Sequence, residues 1–230
     1  ITEELCGCEI SSSDVSRAAK LLDEELEKWR NRPLGEYIYL VLDARYEKIR
    51  LAGCVVACAV LIAVGIDAEG QRSILGVSVS LTEAEVHWRE FFKSLLARGL
   101  HGVELITSDA HAGMAEARKA CFGSVPWQRC QFHLQQNALH HAPTEELKRE
   151  VTSDLKGVYD AADGEAAQEQ LSRVVRKYEK KAPKLAAWIE ENVPEGLTVF
   201  KLPSIHRKRL RTANMMERLN RELKRRTRVA

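Results

Sequence analysis

Two aspartates follow apolar, strand-like segments, and they are the strongest candidates for chemistry in the sequence. Asp43 comes directly after residues 37–42, a short apolar run typical of a strand that is buried on both faces. Asp109 follows a second predicted strand, residues 103–107, in "GVELITSDAH". Carboxylates in such places are costly to desolvate unless a cation meets them, and oxygen ligands of this kind suit Mg²⁺. The alternative for Asp43 is a strand end in solvent.

A third carboxylate is available near the end of the chain. Glu217 in "NMMERLN" is an isolated acid among basic residues. An acid there would only reduce the positive charge of a purely electrostatic patch, so it calls for another role. Glu222 is its competitor, but its place in "RELKRR" fits an ion pair within a helix. Three carboxylates could hold two divalent ions, Mg²⁺ or Mn²⁺, about 3.5–4 Å apart for an in-line phosphoryl displacement.

The elements that must position these residues can be read from the hydrophobic pattern. Thr82 and Glu85 form the pattern of a capping box, which predicts a helix start, and "DAEGQ" predicts a hairpin turn. The predicted order is strands at 37–43, 54–65 and 71–79, the capped helix, a strand at 103–107, a helix at 110–121 and a strand at 125–130. This is the ribonuclease-H-like order, an α/β fold with a mixed five-stranded sheet and helices on both faces. The strands that lead to Asp43 and Asp109 are neighbours in that sheet, and ligand crevices open at their carboxyl edge.

Helices are predicted both before and after this sheet region along the chain. Residues 11–30 are predicted to form an amphipathic helix with N-caps in "SSSD". With the short helix and turn predicted before it in "TEELCGCEI", it fits either a helix-turn-helix DNA reader or an ordinary helical hairpin. Residues 31–36 are a turn or linker. The region 144–193 has a helical pattern with breaks near Gly157, Gly164 and Pro183, and 197–202 resembles a strand. The segment "TANMMERLNRELKRRTR" closes as a basic amphipathic helix.

Composition excludes several classes of protein. The 230 residues contain no apolar run near the roughly 20 residues that a membrane-spanning helix needs. Six cysteines form no regular framework, which favours reduced thiols and a cytoplasmic protein. Because the chain begins with Ile1 and ends inside a basic helical pattern, we expect it to be a fragment of something longer.

The net charge of +2 hides a strongly basic segment at the end of the chain. Residues 201–228 contain eleven Lys and Arg residues and only two acids, which indicates a polyanionic partner or, as the plainer alternative, a solvated face. The predicted DNA-binding residues are Arg207, Lys208, Arg209, Arg211, Arg218, Arg221 and Arg225. Of these, Arg218, Arg221 and Arg225 fall in one stripe of the closing helix.

Four blocks of the sequence carry a resemblance to a known family. "YLVLDARYEKIR", "ITSDAHAG", "WQRCQFHLQQN" and "RTANMMERLNRELKRRTRV" resemble, in the same order, the blocks of bacterial mutator-type insertion-sequence transposases of the Asp-Asp-Glu class. The resemblance implies that Asp43, Asp109 and Glu217 form the catalytic and metal-binding triad. It also implies that the helical stretch between Cys130 and Lys201 is an all-helical insertion in the catalytic domain.

The resemblance also draws attention to Cys130 and His133, which match the family's Cys-x-x-His signature. A structural zinc site would need four protein ligands, and no second pair follows at suitable spacing, so we expect this pair to shape the pocket or contact DNA. The alternative is a buried Cys beside a hydrogen-bonded His. His111 is a candidate for contact with a phosphate or a metal-bound water, or simply a residue at a helix N-terminus.

The expected division of the chain follows from the elements and the family. Residues 1–32 would end a helical DNA-binding region, 33–143 would begin the catalytic domain, 144–196 would be the insertion, and 197–230 would carry the closing catalytic helix and basic segment. The resemblance implies metal-dependent strand cleavage and 3′-hydroxyl strand transfer at insertion-sequence ends. It further implies a bacterial, nucleoid-associated enzyme, dimeric or larger when assembled on DNA. A related metal-dependent nuclease or resolvase, and an inactive DNA-binding remnant, remain the alternatives.

Overall fold

The computed structural model describes residues 11–51 and 53–227, which form a five-stranded mixed sheet with helices. The strands are β1 (Tyr39–Leu51), β2 (Cys54–Ile66), β3 (Arg72–Ser80), β4 (Leu105–Ser108) and β5 (Trp127–Arg129). Their order in the sheet is β3-β2-β1-β4-β5. Strand β2 is antiparallel to both of its neighbours, whereas β1, β4 and β5 are parallel. The predicted ribonuclease-H-like α/β fold is confirmed.

The helices follow the predicted order. They are α1 (Ser12–Asn31), α2 (Glu85–Ala97), α3 (Ala112–Phe122), α4 (Gln131–Leu139), α5 (Glu145–Tyr159), α6 (Gly164–Glu179), α7 (Pro183–Asn192), α8 (Ser204–Leu210) and α9 (Asn214–Thr227). The N-cap of α1 is Ser11, which forms a capping box with Asp14. No helix in the described part of the chain is long and apolar enough to cross a membrane.

Alternation along β1 divides the core between the two faces of the sheet. Leu40 and Leu42 face one way and pack with α2 and α3, whose contributions include Trp88 and Phe92. Tyr39 and Val41 face the other way. There they pack with Cys130, Val199, Leu210, Ala213 and Met216, from the segment before α4 and from the region of α8 and α9. The sheet is therefore covered on both faces, and α9 belongs to the face of the odd-numbered β1 residues.

The helical insertion has a hydrophobic core of its own. Sixteen buried residues between Ala138 and Val193 form one cluster, and Val151, Leu155 and Tyr178 are among its fully buried members. The amphipathic pattern of α5 and α6 produces this cluster because each helix turns its apolar face towards its neighbour. Gly157 lies inside α5, so the predicted break there is wrong, and the real breaks are at 160–163 and 180–182.

Strand β1 continues well beyond Asp43, so the prediction that the strand ends there is wrong. Antiparallel pairing with β2 runs on to Leu51 opposite Cys54, while the parallel pairing with β4 ends at Val41 opposite Thr107. Residues beyond Asp43 lack a continuous apolar run because this part of the hairpin is only half buried. Asp43 is thus at the end of the parallel part of the sheet, inside a longer strand.

Two local predictions also need correction. Helix α2 begins at Glu85 with Ala84 as its N-cap and no side-chain cap, so Thr82 and Glu85 do not form a capping box. Residues 193–196 and 198–201 form two 3₁₀ turns in place of the strand expected at 197–202. The buried Gln128 explains this, since its side chain accepts a hydrogen bond from the Val199 amide and donates to the Gly196 carbonyl.

The apolar face of α1 packs against little in the described chain. None of its residues is buried, and Leu22 is 61% exposed. Its end is held by Arg32, which donates to the Ile74 carbonyl and lies over the Trp29 ring. The helix-turn-helix expected from residues 1–10 lies outside the described residues.

Candidate active site

The two aspartates lie side by side at the carboxyl edge of the parallel strands. Val41 of β1 is paired with Thr107 of β4, and Asp43 and Asp109 each follow their paired residue by two positions. Side chains two residues apart point to the same face of a strand, so both carboxylates lie on the face that α8 and α9 cover. The charge of Asp109 raises the pKa of Asp43.

Helix α9 is fixed beside Asp43 by two hydrogen bonds. The Asn220 side-chain amide donates to Oδ2 of Asp43 at 2.6 Å, and the Arg45 guanidinium donates to the Asn220 carbonyl oxygen at 2.7 Å. Met216 is buried on the same helix and packs, together with the half-buried Leu219, against the sheet. Sequence reasoning missed Asn220, since an amide in a basic helix carries no signal until its strand partner is known.

Glu217 lies one helical turn before Asn220, on the side of α9 that faces the sheet edge. It is half-buried. Within residues 11–51 and 53–227, no three His, Cys, Asp or Glu side chains converge closely enough to hold a metal ion together. The structure therefore brings Asp43 and Asp109 together and places the helix of Glu217 beside them. The three carboxylates are too far apart to coordinate one metal ion together.

Burial dominates the electrostatics of Asp43. Desolvation raises its pKa, and the charge of Asp109 adds to this. The Asn220 hydrogen bond, the charge of His133 and the Ala44 amide act in the opposite direction. Two carboxylates in this environment repel each other, and a cation between them would relieve both the repulsion and the desolvation cost.

The pair Cys130 and His133 lies at this edge too. Nδ1 of His133 is 3.7 Å from Oδ2 of Asp109, and the Ala213 amide donates to Sγ of the buried Cys130. Hydrogen bonding with the Cys130 side chain, together with the charges of Asp109 and Asp43, raises the pKa of His133 to about 9 against the effect of burial. A protonated His133 places a positive charge next to Asp109.

Sequence reasoning also missed Glu83, in the loop between β3 and α2. Its side chain is 13% exposed, and its Oε2 lies 3.9 Å from Nδ1 of His111, the N-cap residue of α3. Burial raises the pKa of Glu83, and the charges of Asp43 and Asp109 raise it further. The predicted capping box made Glu83 look ordinary, because a helix capped by Thr82 would have placed Glu83 in its first turn, where acidic residues are common.

Comparison with known proteins identifies the family. The chain matches the model of the family described as "Transposase, Mutator family" over residues 1–230. The chain belongs to the mutator family of transposases. It is 55% identical over its whole length to the transposase for insertion sequence element IS406 of Burkholderia multivorans, and 45% identical to that for ISRM5 of Rhizobium meliloti. It covers 60% and 58% of these two relatives, so it spans less than two thirds of their length.

Among solved structures, the magnesium complex of the HTLV-2 integrase catalytic core domain matches 56% of this chain and 88% of its own. The TM-score is 0.27 and the identity is 14%, which is too slight a likeness to support any argument. The family assignment and the strand order therefore rest on the sequence match and on the sheet itself.

The basic residues of this mutator-family chain fall into two groups. Arg207 donates to the carbonyl oxygens of Leu202 and Ala162, and Arg211 forms an ion pair with Asp160 at 2.6 Å. These two guanidinium groups attach the insertion to the closing segment. Arg225 and Arg226 both pair with Glu222, the residue that we considered as an alternative to Glu217.

The second group points into solvent. Arg218 and Arg221 are exposed, and no hydrogen bond or ion pair to either guanidinium occurs within the described residues. Lys208 and Arg209 are likewise exposed on α8. The exposure of Arg218 and Arg221 fits either a polyanionic partner or the solvated face considered for the basic segment.

The donor set at the sheet edge fits a divalent cation. Its oxygen atoms come from carboxylates, the ligand type that Mg²⁺ and Mn²⁺ prefer, and Mg²⁺ commonly takes one or two carboxylates and keeps several waters. Asp43 and Asp109 meet this requirement as a pair at the same edge.

Proposed function

We propose that the protein containing this chain catalyses metal-dependent DNA strand cleavage and strand transfer at insertion-sequence ends, with Asp43, Asp109 and Glu217 as its catalytic carboxylates. One observation carries the proposal. Asp43 and Asp109 follow in-register residues of adjacent parallel strands, and α9 docks its Glu217 face beside them. The relatives are named as insertion-sequence transposases, which supports the same reaction for this chain.

In the reaction, water attacks a phosphorus atom at the element end and the bond to the 3′ oxygen breaks. This leaves a 3′-hydroxyl, which then attacks a phosphorus atom of the target DNA and displaces a target 3′ oxygen. Mg²⁺ or Mn²⁺, as two ions held by Asp43, Asp109 and Glu217, would supply Lewis-acid stabilisation of the charge that develops on these oxygens.

The chain's own residues would orient this site. Asn220 holds the Asp43 carboxylate by its hydrogen bond and so fixes which oxygen is free to bind. His133, with its raised pKa, keeps a positive charge beside Asp109. Cys130, buried between β5 and α4, supports that ring, which is a pocket-shaping role for the pair.

DNA would approach across α9. The exposed Arg218 and Arg221 lie on the same helix as Glu217, so a backbone phosphate bound there brings the strand to the carboxylates. Lys208 and Arg209 would extend this contact along α8. We propose transposon ends and target DNA as the partners, with two or more copies assembling on them.

The test is a strand-cleavage assay with the full-length protein and DNA carrying the element's ends. We expect Asp109→Asn and Glu217→Gln each to reduce cleavage by at least 10³-fold while DNA binding persists, because each removes a charge that would bind the metal. Asp43→Asn should reduce cleavage as much, and it also weakens the hydrogen bond from Asn220. Glu222→Gln is the matched control and should retain cleavage, since Glu222 pairs with Arg225 and Arg226. Cleavage that survives Glu217→Gln but is lost in Glu222→Gln would overturn the triad.

A further inference from the structure

Glu83 lies close to the proposed metal site although it comes from a different part of the chain than the triad. It belongs to the loop of residues 81–84, which leaves β3 at Ser80 and enters α2 at Glu85. Its side chain is only 13% exposed. Its Oε2 lies 3.9 Å from Nδ1 of His111, which is two residues after Asp109, so Glu83 lies at the same edge of the sheet. The charges of Asp43 and Asp109 raise the pKa of Glu83, in keeping with this placement.

The loop is held there by an unusually close approach to α3. A Cβ atom added to Gly113 would lie 2.3 Å from the Glu83 carbonyl oxygen and 2.8 Å from the Glu85 amide nitrogen. Both are backbone atoms, so no side-chain rotation could relieve the overlap. Gly113, four residues after Asp109, therefore lets the Glu83 loop pack on the first turn of α3. Any larger residue would push the loop away.

The nearby histidine alone does not account for a buried carboxylate in this position. His111 lies 3.9 Å from Glu83 but its side chain is 46% exposed, and an ion pair of this length at the surface contributes little. By contrast, the Glu83 carboxylate is largely desolvated and is repelled by the negative charges of Asp43 and Asp109. A cation at the sheet edge would compensate all three groups.

We propose, on the basis of the proposed function, that Glu83 is a further positioning carboxylate of the cation site formed by Asp43 and Asp109, and that Gly113 holds it there. Mg²⁺ and Mn²⁺ keep several water molecules when carboxylates bind them, and Glu83 would act on the waters of an ion held by Asp43 and Asp109. Partners of this outer shell typically change metal affinity by 10–100-fold.

The experiment measures Mn²⁺ binding to the 230-residue chain by electron paramagnetic resonance of the free ion, without DNA or turnover. We expect Glu83→Gln to weaken Mn²⁺ binding by about 10–100-fold. Gly113→Ala should weaken it in the same direction, because the added methyl group displaces the loop. Glu85→Gln is the matched control, with the same change in charge two residues away on a carboxylate that pairs with Arg89, and should bind Mn²⁺ as the unaltered chain does.

The outcomes separate this inference from the proposed function. If Asp109→Asn loses Mn²⁺ while Glu83→Gln binds it like the unaltered chain, the role of Glu83 is refuted and the metal site stands. If the unaltered chain binds no Mn²⁺, the proposed function fails as well. Equal weakening by Glu83→Gln and Glu85→Gln would also overturn the inference, since it would reduce the effect to net charge. Circular dichroism confirms that each variant is folded, and Glu83→Gln alone decides if Gly113→Ala does not fold.

Discussion

The hydrogen bond between Asn220 and Asp43 should be the main polar attachment of α9 to the sheet. Its donor–acceptor distance is 2.6 Å, and its acceptor is a half-buried carboxylate. Hydrogen bonds to charged groups contribute about 1.5–3 kcal/mol. Because Asp43 keeps some contact with water, we expect Asn220→Ala to cost about 1–2 kcal/mol of the free energy that holds α9 in place.

Amide hydrogen exchange is the suitable assay because the insertion has its own core and a global unfolding transition could hide a local change. A loss of about 1–2 kcal/mol corresponds to roughly 5–30-fold faster exchange of the α9 amides. Amides of β1 between Tyr39 and Leu42 should change little, because their partners in β2 and β4 are untouched. Lys224→Ala, at an exposed position on the same helix, is the control for the change in helix propensity that an alanine introduces.

A double-mutant cycle isolates the bond itself. In an Asp43→Asn background, Asn220→Ala should cost measurably less, because the charge that strengthens the bond is already gone. The reasoning is refuted if α9 exchanges at the same rate in Asn220→Ala and in the unaltered chain. It is refuted equally if Lys224→Ala accelerates exchange as much as Asn220→Ala does.

Three further results are expected. Gln128→Ala should lower the free energy of unfolding by about 1–3 kcal/mol in denaturant titrations, because it leaves the buried Val199 amide without its acceptor; an unchanged midpoint would contradict this. Replacing both Arg218 and Arg221 with Ala should weaken binding to any duplex DNA and flatten log K against log salt by about 1.8, and an unchanged slope would exclude phosphate contacts by this pair. Leu155→Ala, at a fully buried position of the insertion, should lower the free energy of unfolding of the insertion by about 2–5 kcal/mol, measured as faster amide hydrogen exchange within α5 and α6. Unchanged exchange there would contradict a separate hydrophobic core.

The strand order could be predicted because the apolar runs in β1, β2 and β4 are local properties of the sequence. The crossover rule then limits the arrangements of β4 and β5. The end of β1 could not be predicted in the same way. Its continuation past Asp43 depends on pairing with β2, and half-exposed residues leave no apolar signal there.

Part of the candidate site's arrangement could be predicted from the sequence. Asp43 and Asp109 were predicted to share one edge of the sheet because each carboxylate follows an apolar strand segment. Asn220 and Glu83 were not, because the significance of each depends on a contact distant in sequence: Asn220 with Asp43, and the Glu83 loop with Gly113. The turns at 193–201 were mistaken for a strand for a similar reason, since their conformation depends on hydrogen bonds from Gln128.

The central claim is that Asp43, Asp109 and Glu217 form one cation site at the carboxyl edge of the parallel strands. The most direct test is an anomalous difference map from crystals of this chain soaked in Mn²⁺. We predict a peak between the carboxylates of Asp43 and Asp109, at about 2.0–2.3 Å from an oxygen of each, with the Glu217 carboxylate turned towards it. A strong peak elsewhere on the protein, with none at these aspartates, would contradict the account.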